Sequence, residues 1–143
     1  MATVAQILKQ KPERVVHTIP PDATVLEAVK VMAEKNIGAL LVLEGGGVAG
    51  VVTERDLARK VFVMTKPAKD TPVSEIMTTQ VMYVSPERTS EECMALMTEN
   101  RFRHLPVMEK GKLVGLVSIG DLVKDVISEQ KFLIEQLEHY IAG

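Results

Sequence analysis

The chain has 143 residues and a formal net charge of −2, and 46% of its residues are apolar but only 3% are aromatic. That length allows one sizeable core, and the composition predicts a core made of aliphatic side chains. Charges of both signs are mixed along the chain, which argues against a nucleic-acid-binding surface, since such a surface needs clustered basic residues.

The first half of the chain predicts a strand, a helix, two strands and a second helix. The first strand stops at Pro20-Pro21, and Thr24 with Glu27 forms the signature of a capping box at the start of the first helix. A continuous apolar run then predicts a strand that is buried on both faces. The predicted elements are strand 15–19, helix 25–35, strand 40–43, strand 48–52 and helix 54–61.

The second half repeats the first. Residues 19–61 overlay residues 84–126 without a gap, and 14 of these 43 positions are identical. Segment 4–8 resembles segment 73–77 at a larger offset, so the first copy carries four extra residues near 9–12. Two such copies are expected to pack about a pseudo-twofold axis, so that anything formed at their seam forms twice. The predicted elements are strand 81–84, helix 90–99, strand 105–108, strand 113–117 and a helix from 120 to about 141.

The last helix is predicted to run far beyond its counterpart in the first copy. It carries an apolar stripe at helical spacing that must be covered, either by its own module or by a second chain. We expect dimerisation. The stripe consists of Val123, Ile127, Ile134, Leu137 and Ile141.

A hydroxyl residue ends a predicted strand in each copy, and an aspartate follows three positions later. These pairs are Thr53 with Asp56 and Ser118 with Asp121. A hydroxyl beside free backbone N–H groups at a helix start can hold a phosphate, and an aspartate one turn in can bind the vicinal hydroxyls of a ribose. A single motif of this kind is also an ordinary helix cap, but its recurrence at matching places favours the binding interpretation. An adenine slot would then need backbone amides and aliphatic side chains, which Val16, His17 and Ile37 in one copy and Val81, Met82 and Phe102 in the other could supply.

These landmarks together resemble a tandem pair of CBS domains (cystathionine β-synthase domains), a Bateman module. The segments that carry the resemblance are Ile37–Val42, Arg103–Val107 and the two Gly-hydrophobic-hydrophobic-Thr/Ser-x-x-Asp runs. The resemblance implies an α/β (α+β) fold of two pseudo-twofold-related β-α-β-β-α units with small three-stranded sheets. The implied domains are 1–65 and 71–128, with a linker at 66–70 and a C-terminal helical extension at 129–143.

The resemblance also implies ligands. Such pairs bind adenosyl compounds in two clefts, and we expect AMP, with NAD, ATP, ADP or S-adenosylmethionine as the other members of that class. One cleft would use Ser118 and Asp121, with Val16, His17 and Ile37 around the base. Arg103 and His104 would lie near the phosphate there, and their counterparts in the other copy are Gly38 and Ala39. That other cleft would use Thr53, Asp56, Val81, Met82 and Phe102. Its compensating charge would come from Arg55, from Lys60 or from a residue of a partner chain. We therefore expect the Asp121 cleft to bind a mononucleotide phosphate better.

Three function classes remain open at this stage. The first is a stand-alone regulatory module that senses energy or redox state, forms a homodimer and acts on an unidentified protein. The second is a structural oligomerisation module with vestigial clefts, and the third, an enzyme, lacks a visible nucleophile–base set or metal-binding spacing. We expect no catalytic or metal site and no membrane partner. The single Cys93 and the absence of a signal pattern predict a cytoplasmic protein.

Overall fold

The computed structural model describes residues 2–11 and 16–142, which form two compact units. The first-repeat unit contains described residues 16–82 and 110–113, and the second-repeat unit contains 2–11, 83–109 and 114–142. Residue 15, the start of the predicted first strand, lies outside the described residues. The elements are α1 (Val4–Gln10), β1 (Thr18–Ile19), α2 (Val25–Lys35), β2 (Ala39–Glu44), β3 (Gly47–Thr53), α3 (Glu54–Asp56), α4 (Ser90–Asn100), β4 (His104–Glu109), β5 (Lys112–Ser118) and α5 (Ile119–Ala142).

The first-repeat unit is built on a three-stranded sheet in the order β1-β2-β3. Strand β1 pairs with β2 in parallel, and β2 pairs with β3 in antiparallel register. The turn between β2 and β3 places Gly45 and Gly46 at φ 59° and 83°, conformations that glycine adopts without steric cost. Helix α2 begins with the predicted capping box of Thr24 and Glu27. The core is aliphatic, as predicted, and its members include Ile19, Ala28, Met32, Leu40, Val42, Val52 and Ile76.

The second-repeat unit has a two-stranded sheet of β4 and β5. The prediction of a strand over 81–84 is wrong, because the structure retains only an isolated parallel bridge between Val84 and Val107. Proline explains the difference. In the first-repeat unit, the N–H of Leu41 donates to the carbonyl of His17 and extends the ladder. The aligned residue in β4 is Pro106, which has no N–H to donate, so the ladder stops at Val84.

Each unit also contains a segment that precedes the other repeat in the sequence. Helix α1, which the sequence reasoning did not predict, joins the second-repeat unit: the Val4 N–H donates to the Arg88 carbonyl at 2.8 Å. In the first-repeat unit, the Val73 N–H donates to the Ala23 carbonyl at 2.8 Å. A Cβ built on Gly115 would meet Leu8 of α1 at 2.8 Å, so this glycine lets α1 approach β5 closely.

The two helices that follow the hairpins differ from each other. The predicted helix 54–61 starts as the short α3 and continues as a π-helical turn, Leu57–Phe62, in which the Val63 N–H donates to the Ala58 carbonyl. Helix α5 is regular over 24 residues, as the sequence predicted. Its residues 130–142 are all exposed. The terminal part of its apolar stripe is therefore not covered by the described residues of its own unit.

Candidate functional site

The end of β5 and the first turn of α5 hold the Ser118–Asp121 pair in a reciprocal arrangement. The Asp121 N–H donates to Ser118 Oγ at 3.1 Å, and the Ser118 N–H donates to Asp121 Oδ2 at 2.9 Å. The aspartate side chain is 16% exposed. No hydrogen bond from residues 2–11 or 16–142 reaches Asp121 Oδ1. The carboxylate is thus held in place through one oxygen while the other can still accept hydrogen bonds.

Lys11 contacts the same carboxylate, and the sequence reasoning missed it. Its Nζ lies 2.9 Å from Asp121 Oδ2 and donates to the Leu116 carbonyl at 2.9 Å. Lys11 belongs to the stretch in which the first copy carries four extra residues, so the repeat alignment gives it no counterpart. That insertion was the one available signal, and it could not indicate which residue the lysine would reach.

Arg103 and His104 lie beside the start of α5 because the Ile119 N–H donates to the Arg103 carbonyl at 2.9 Å. Arg103 is exposed, whereas His104 is partly buried. Burial lowers the pKa of His104; the nearby Asp121 carboxylate opposes this shift, and the positive charges of Lys11 and Arg103 reinforce it. Because its pKa lies below 6.5, His104 is neutral at pH 7, and Arg103 and Lys11 carry the positive charge of the group.

Asp121 keeps its negative charge despite its position. Burial raises the pKa of Asp121, but the Ser118 N–H and the Lys11 ammonium outweigh that effect and hold the pKa below 3.8. The carboxylate is ionised at neutral pH and is therefore a strong hydrogen-bond acceptor. In one unit, the structure thus brings together an ionised carboxylate, a hydroxyl, two cations and a neutral imidazole, and one carboxylate oxygen accepts no hydrogen bond from the described residues.

The matching pair in the first-repeat unit, Thr53 and Asp56, has the same reciprocal cap but a different environment. Asp56 Oδ2 accepts from the Thr53 N–H at 2.9 Å and from Thr53 Oγ1 at 3.1 Å. Asp56 Oδ1 accepts from Thr78 Oγ1 at 3.2 Å and lies 3.1 Å from Lys60 Nζ. Lys60 also donates to the Ile76 carbonyl at 3.0 Å. The protein's own donors therefore occupy both oxygens of Asp56, and the residue is buried at 6% exposure.

The remaining predicted site residues divide between the units. Val16, His17 and Ile37 are partly buried residues of the first-repeat unit. Within the described residues, His17 Nε2 is buried without a hydrogen-bond partner. Arg55 is exposed on α3. Val81 and Met82 belong to the first-repeat unit and Phe102 to the second-repeat unit, and all three are partly buried.

Over residues 2–11 and 16–142, no group of three or more His, Cys, Asp or Glu side chains is arranged to hold a metal ion. Within the same ranges, no helix combines the length and the apolar character that crossing a bilayer requires.

The chain belongs to the CBS-domain family. The family model for the CBS domain matches residues 4–63 and 73–128, and so covers both repeats. The resemblance inferred from the sequence is therefore confirmed. The chain is a tandem CBS module of the regulatory class, with a mixed α/β fold and a long C-terminal helix.

Relatives of known sequence and structure agree with this assignment. A mitochondrial CBS-domain-containing protein of Arabidopsis thaliana, CBSX3, is 42% identical over 127 residues, which are 85% of this chain but 62% of the plant protein. A CBS-domain protein of Burkholderia ambifaria MC40-6, described as a candidate signal-transduction protein, is 58% identical with a TM-score of 0.86, and the match covers 90% of this chain and 96% of that one. The structure of CBSX2 in complex with AMP is 26% identical with a TM-score of 0.74, covering 91% and 99% of the two chains.

Proposed function

We propose that this chain is a regulatory module that binds an adenosyl nucleotide and transmits its presence to another protein. The observation that carries the proposal is the ionised Asp121 carboxylate, which Ser118 and Lys11 fix through Oδ2 and whose Oδ1 accepts no hydrogen bond from the described residues. A carboxylate oxygen held in this way can accept hydrogen bonds from the vicinal hydroxyls of a ribose. The sequence motif predicts Asp121 as the ribose acceptor, and its hydrogen bonds in the structure support that role.

AMP is the ligand that the charges around Asp121 fit best. Lys11 and Arg103 offer two positive charges against one carboxylate, which leaves a net positive group suited to a phosphate. The similarity to CBSX2, whose structure contains AMP, supports the same choice. NAD, ATP, ADP and S-adenosylmethionine are alternative ligands of the same class, and through them the module would respond to energy or redox state.

Calorimetric titration of AMP into the full chain tests the proposal. The variant Asp121→Ala is expected to lose at least about tenfold in affinity, because it removes the ribose acceptor. Asp70→Ala, which changes an exposed aspartate in the first-repeat unit, is the matched control and should bind like the parent. If the parent binds none of the five adenosyl ligands, the alternative of a structural module with vestigial clefts is supported. If Asp121→Ala retains full affinity, the assignment of the site is wrong.

Catalysis has no part in this proposal. Asp56 and Asp121 belong to different units, and nothing in the proposal pairs them as an acid and a base. A turnover assay with each ligand that binds checks this directly, and conversion of a ligand would overturn it.

We also retain the repeat boundaries 1–65 and 71–128, the linker 66–70 and a cytoplasmic location as proposals.

The exposed apolar side chains of helix α5 support self-association as a second part of the proposal. Several large apolar side chains are exposed along its last turns, and each would contribute about 1.5–3 kcal/mol if fully buried. A second copy of the same helix offers a matching apolar face. The exposed residues are Phe132, Leu133, Ile134, Leu137, Tyr140 and Ile141, each at least 55% exposed.

Light scattering at several concentrations measures this association. The full chain is expected to be a homodimer, and a chain that ends at residue 129 is expected to have a weaker dimer or none. A truncated chain that dimerises as strongly as the full one would contradict this role of α5. The substitution Leu137→Glu is a second probe, because it buries a charge in the same contact and leaves the length unchanged.

A further inference from the structure

The carboxylate oxygens of the two aligned aspartates, Asp121 and Asp56, have different hydrogen-bond partners in the folded chain. Among the residues that the structure describes, Asp121 is held through Oδ2 alone, so Oδ1 can accept from a ligand. Asp56 is bonded on both oxygens by groups of its own unit. A ribose could bind Asp56 Oδ1 only by displacing Thr78 and Lys60. That displacement would cost Asp56, which is 6% exposed, its hydrogen bond from Thr78 and its ion pair with Lys60.

The donors on Asp56 also serve a structural purpose. Thr78 is paired through its backbone with Val51 of β3, with N–H to carbonyl distances of 3.0 and 2.9 Å. Lys60, in the π-helical turn, bonds both Asp56 and the Ile76 carbonyl. Asp56 therefore links the helix start, the π-helical turn and the 76–78 segment within one unit. We call these three residues, Asp56, Lys60 and Thr78, the latch.

The charges near the two aspartates also favour a phosphate near Asp121 over one near Asp56. The Arg103 carbonyl accepts from the Ile119 N–H, and at the aligned place the Gly38 carbonyl accepts from the Glu54 N–H at 3.1 Å. A Cβ built on Gly38 would lie 3.2 Å from Glu54 Oε1. The position that holds Arg103 in one unit is therefore next to a carboxylate in the other. A phosphate would be attracted to the first place and repelled at the second.

We propose that the latch has replaced one of the two ligand sites that the duplication implies, so that each chain binds one adenosyl nucleotide, at Asp121. Lys60 and Thr78 limit the stoichiometry to one nucleotide per chain, because they occupy the Asp56 oxygen that a second ribose would need. In this proposal, Asp56 and Thr53 stabilise the fold and do not contact a ligand, in contrast to the second binding site predicted from the sequence. The inference rests on the proposed function for its ligand, but the latch itself does not.

Calorimetry with AMP, combined with thermal unfolding, separates the two roles. The parent is expected to bind one AMP per chain. Asp56→Asn should keep AMP affinity within about twofold and lower the melting temperature, whereas Asp121→Asn should lose about tenfold or more in affinity. Thr78→Val keeps the carboxylate and removes one donor, and it should also unfold earlier with unchanged affinity. It serves as the test if Asp56→Asn does not fold.

The outcomes distinguish this inference from the proposed function. Two AMP molecules per chain, or a loss of affinity in Thr78→Val or in folded Asp56→Asn that equals the loss in Asp121→Asn, would overturn it. If the parent binds no adenosyl ligand, the proposed function fails and the stoichiometry fails with it. The latch is then still tested by a double-mutant cycle with Lys60→Met and Thr78→Val. Full additivity of their effects on stability would refute a shared role.

Discussion

The substitution Lys11→Met is the most informative single perturbation of the Asp121 site. It keeps most of the apolar stem and removes the ammonium that bonds Asp121 Oδ2 and the Leu116 carbonyl, each at 2.9 Å. An exposed ion pair contributes up to about 1 kcal/mol, and a hydrogen bond to a charged group about 1.5–3 kcal/mol. The lysine and aspartate side chains are 27% and 16% exposed, which places this pair between those limits. We therefore expect a loss of about 1–2 kcal/mol in the free energy of unfolding.

Urea unfolding at pH 7 measures that loss. The matched control is Lys30→Met, which changes an exposed lysine on α2 and should stay within about 0.5 kcal/mol of the parent. A Lys11→Met variant as stable as the parent would refute the reasoning about this contact.

The pH dependence of the stability of Lys11→Met is a second test of the contact between Lys11 and Asp121. The folded-state pKa of Asp121 lies below 3.8, so its stabilising effect is present above pH 3.8 and is lost as the pH falls through the folded-state value. Removing the ammonium should raise the pKa of Asp121, which carboxyl-carbon NMR can follow. The stability difference between Lys11→Met and the parent should shrink below pH 3.8. An unchanged pKa of Asp121 would show that the ammonium does not control this carboxylate.

Two further predictions concern packing and protonation. Gly50→Ala should destabilise the fold by about 1–3 kcal/mol in urea unfolding, because its Cβ would meet the Thr78 backbone carbonyl at 2.8 Å. The aligned Gly115→Ala should cost less, since it meets the side-chain end of Leu8, and equal losses would contradict this account. The free energy of unfolding should fall as the pH drops below 6.5, by at most about 1.4 kcal/mol per unit from His104, because burial lowers its folded-state pKa. His104→Gln should remove that part of the slope, and a slope unchanged by the substitution would refute it.

The local elements were largely predictable because their signals are local. The capping box at Thr24 and the glycine turn between β2 and β3 fix those elements within a few residues of sequence. Pro106 shows the limit of reasoning by repetition. The aligned strands look alike in hydrophobic pattern, but a proline on the partner strand removes the N–H on which the edge strand depends.

The state of each candidate site was not predictable from the motif alone. The spacing in Thr53-x-x-Asp56 and Ser118-x-x-Asp121 is the same, and both pairs form the expected cap. What separates them comes from distant positions: Thr78 is 22 residues from Asp56, and Lys11 reaches Asp121 across 110 residues. Such contacts depend on the packing of whole segments, which no short spacing encodes.

A crystal structure of the full chain with AMP tests the central claim most directly. The account predicts one nucleotide per chain, with its ribose hydroxyls donating to Asp121 Oδ1 and with the latch around Asp56 intact. A nucleotide bound away from Asp121, or a ribose on Asp56 with Lys60 and Thr78 displaced, would contradict it.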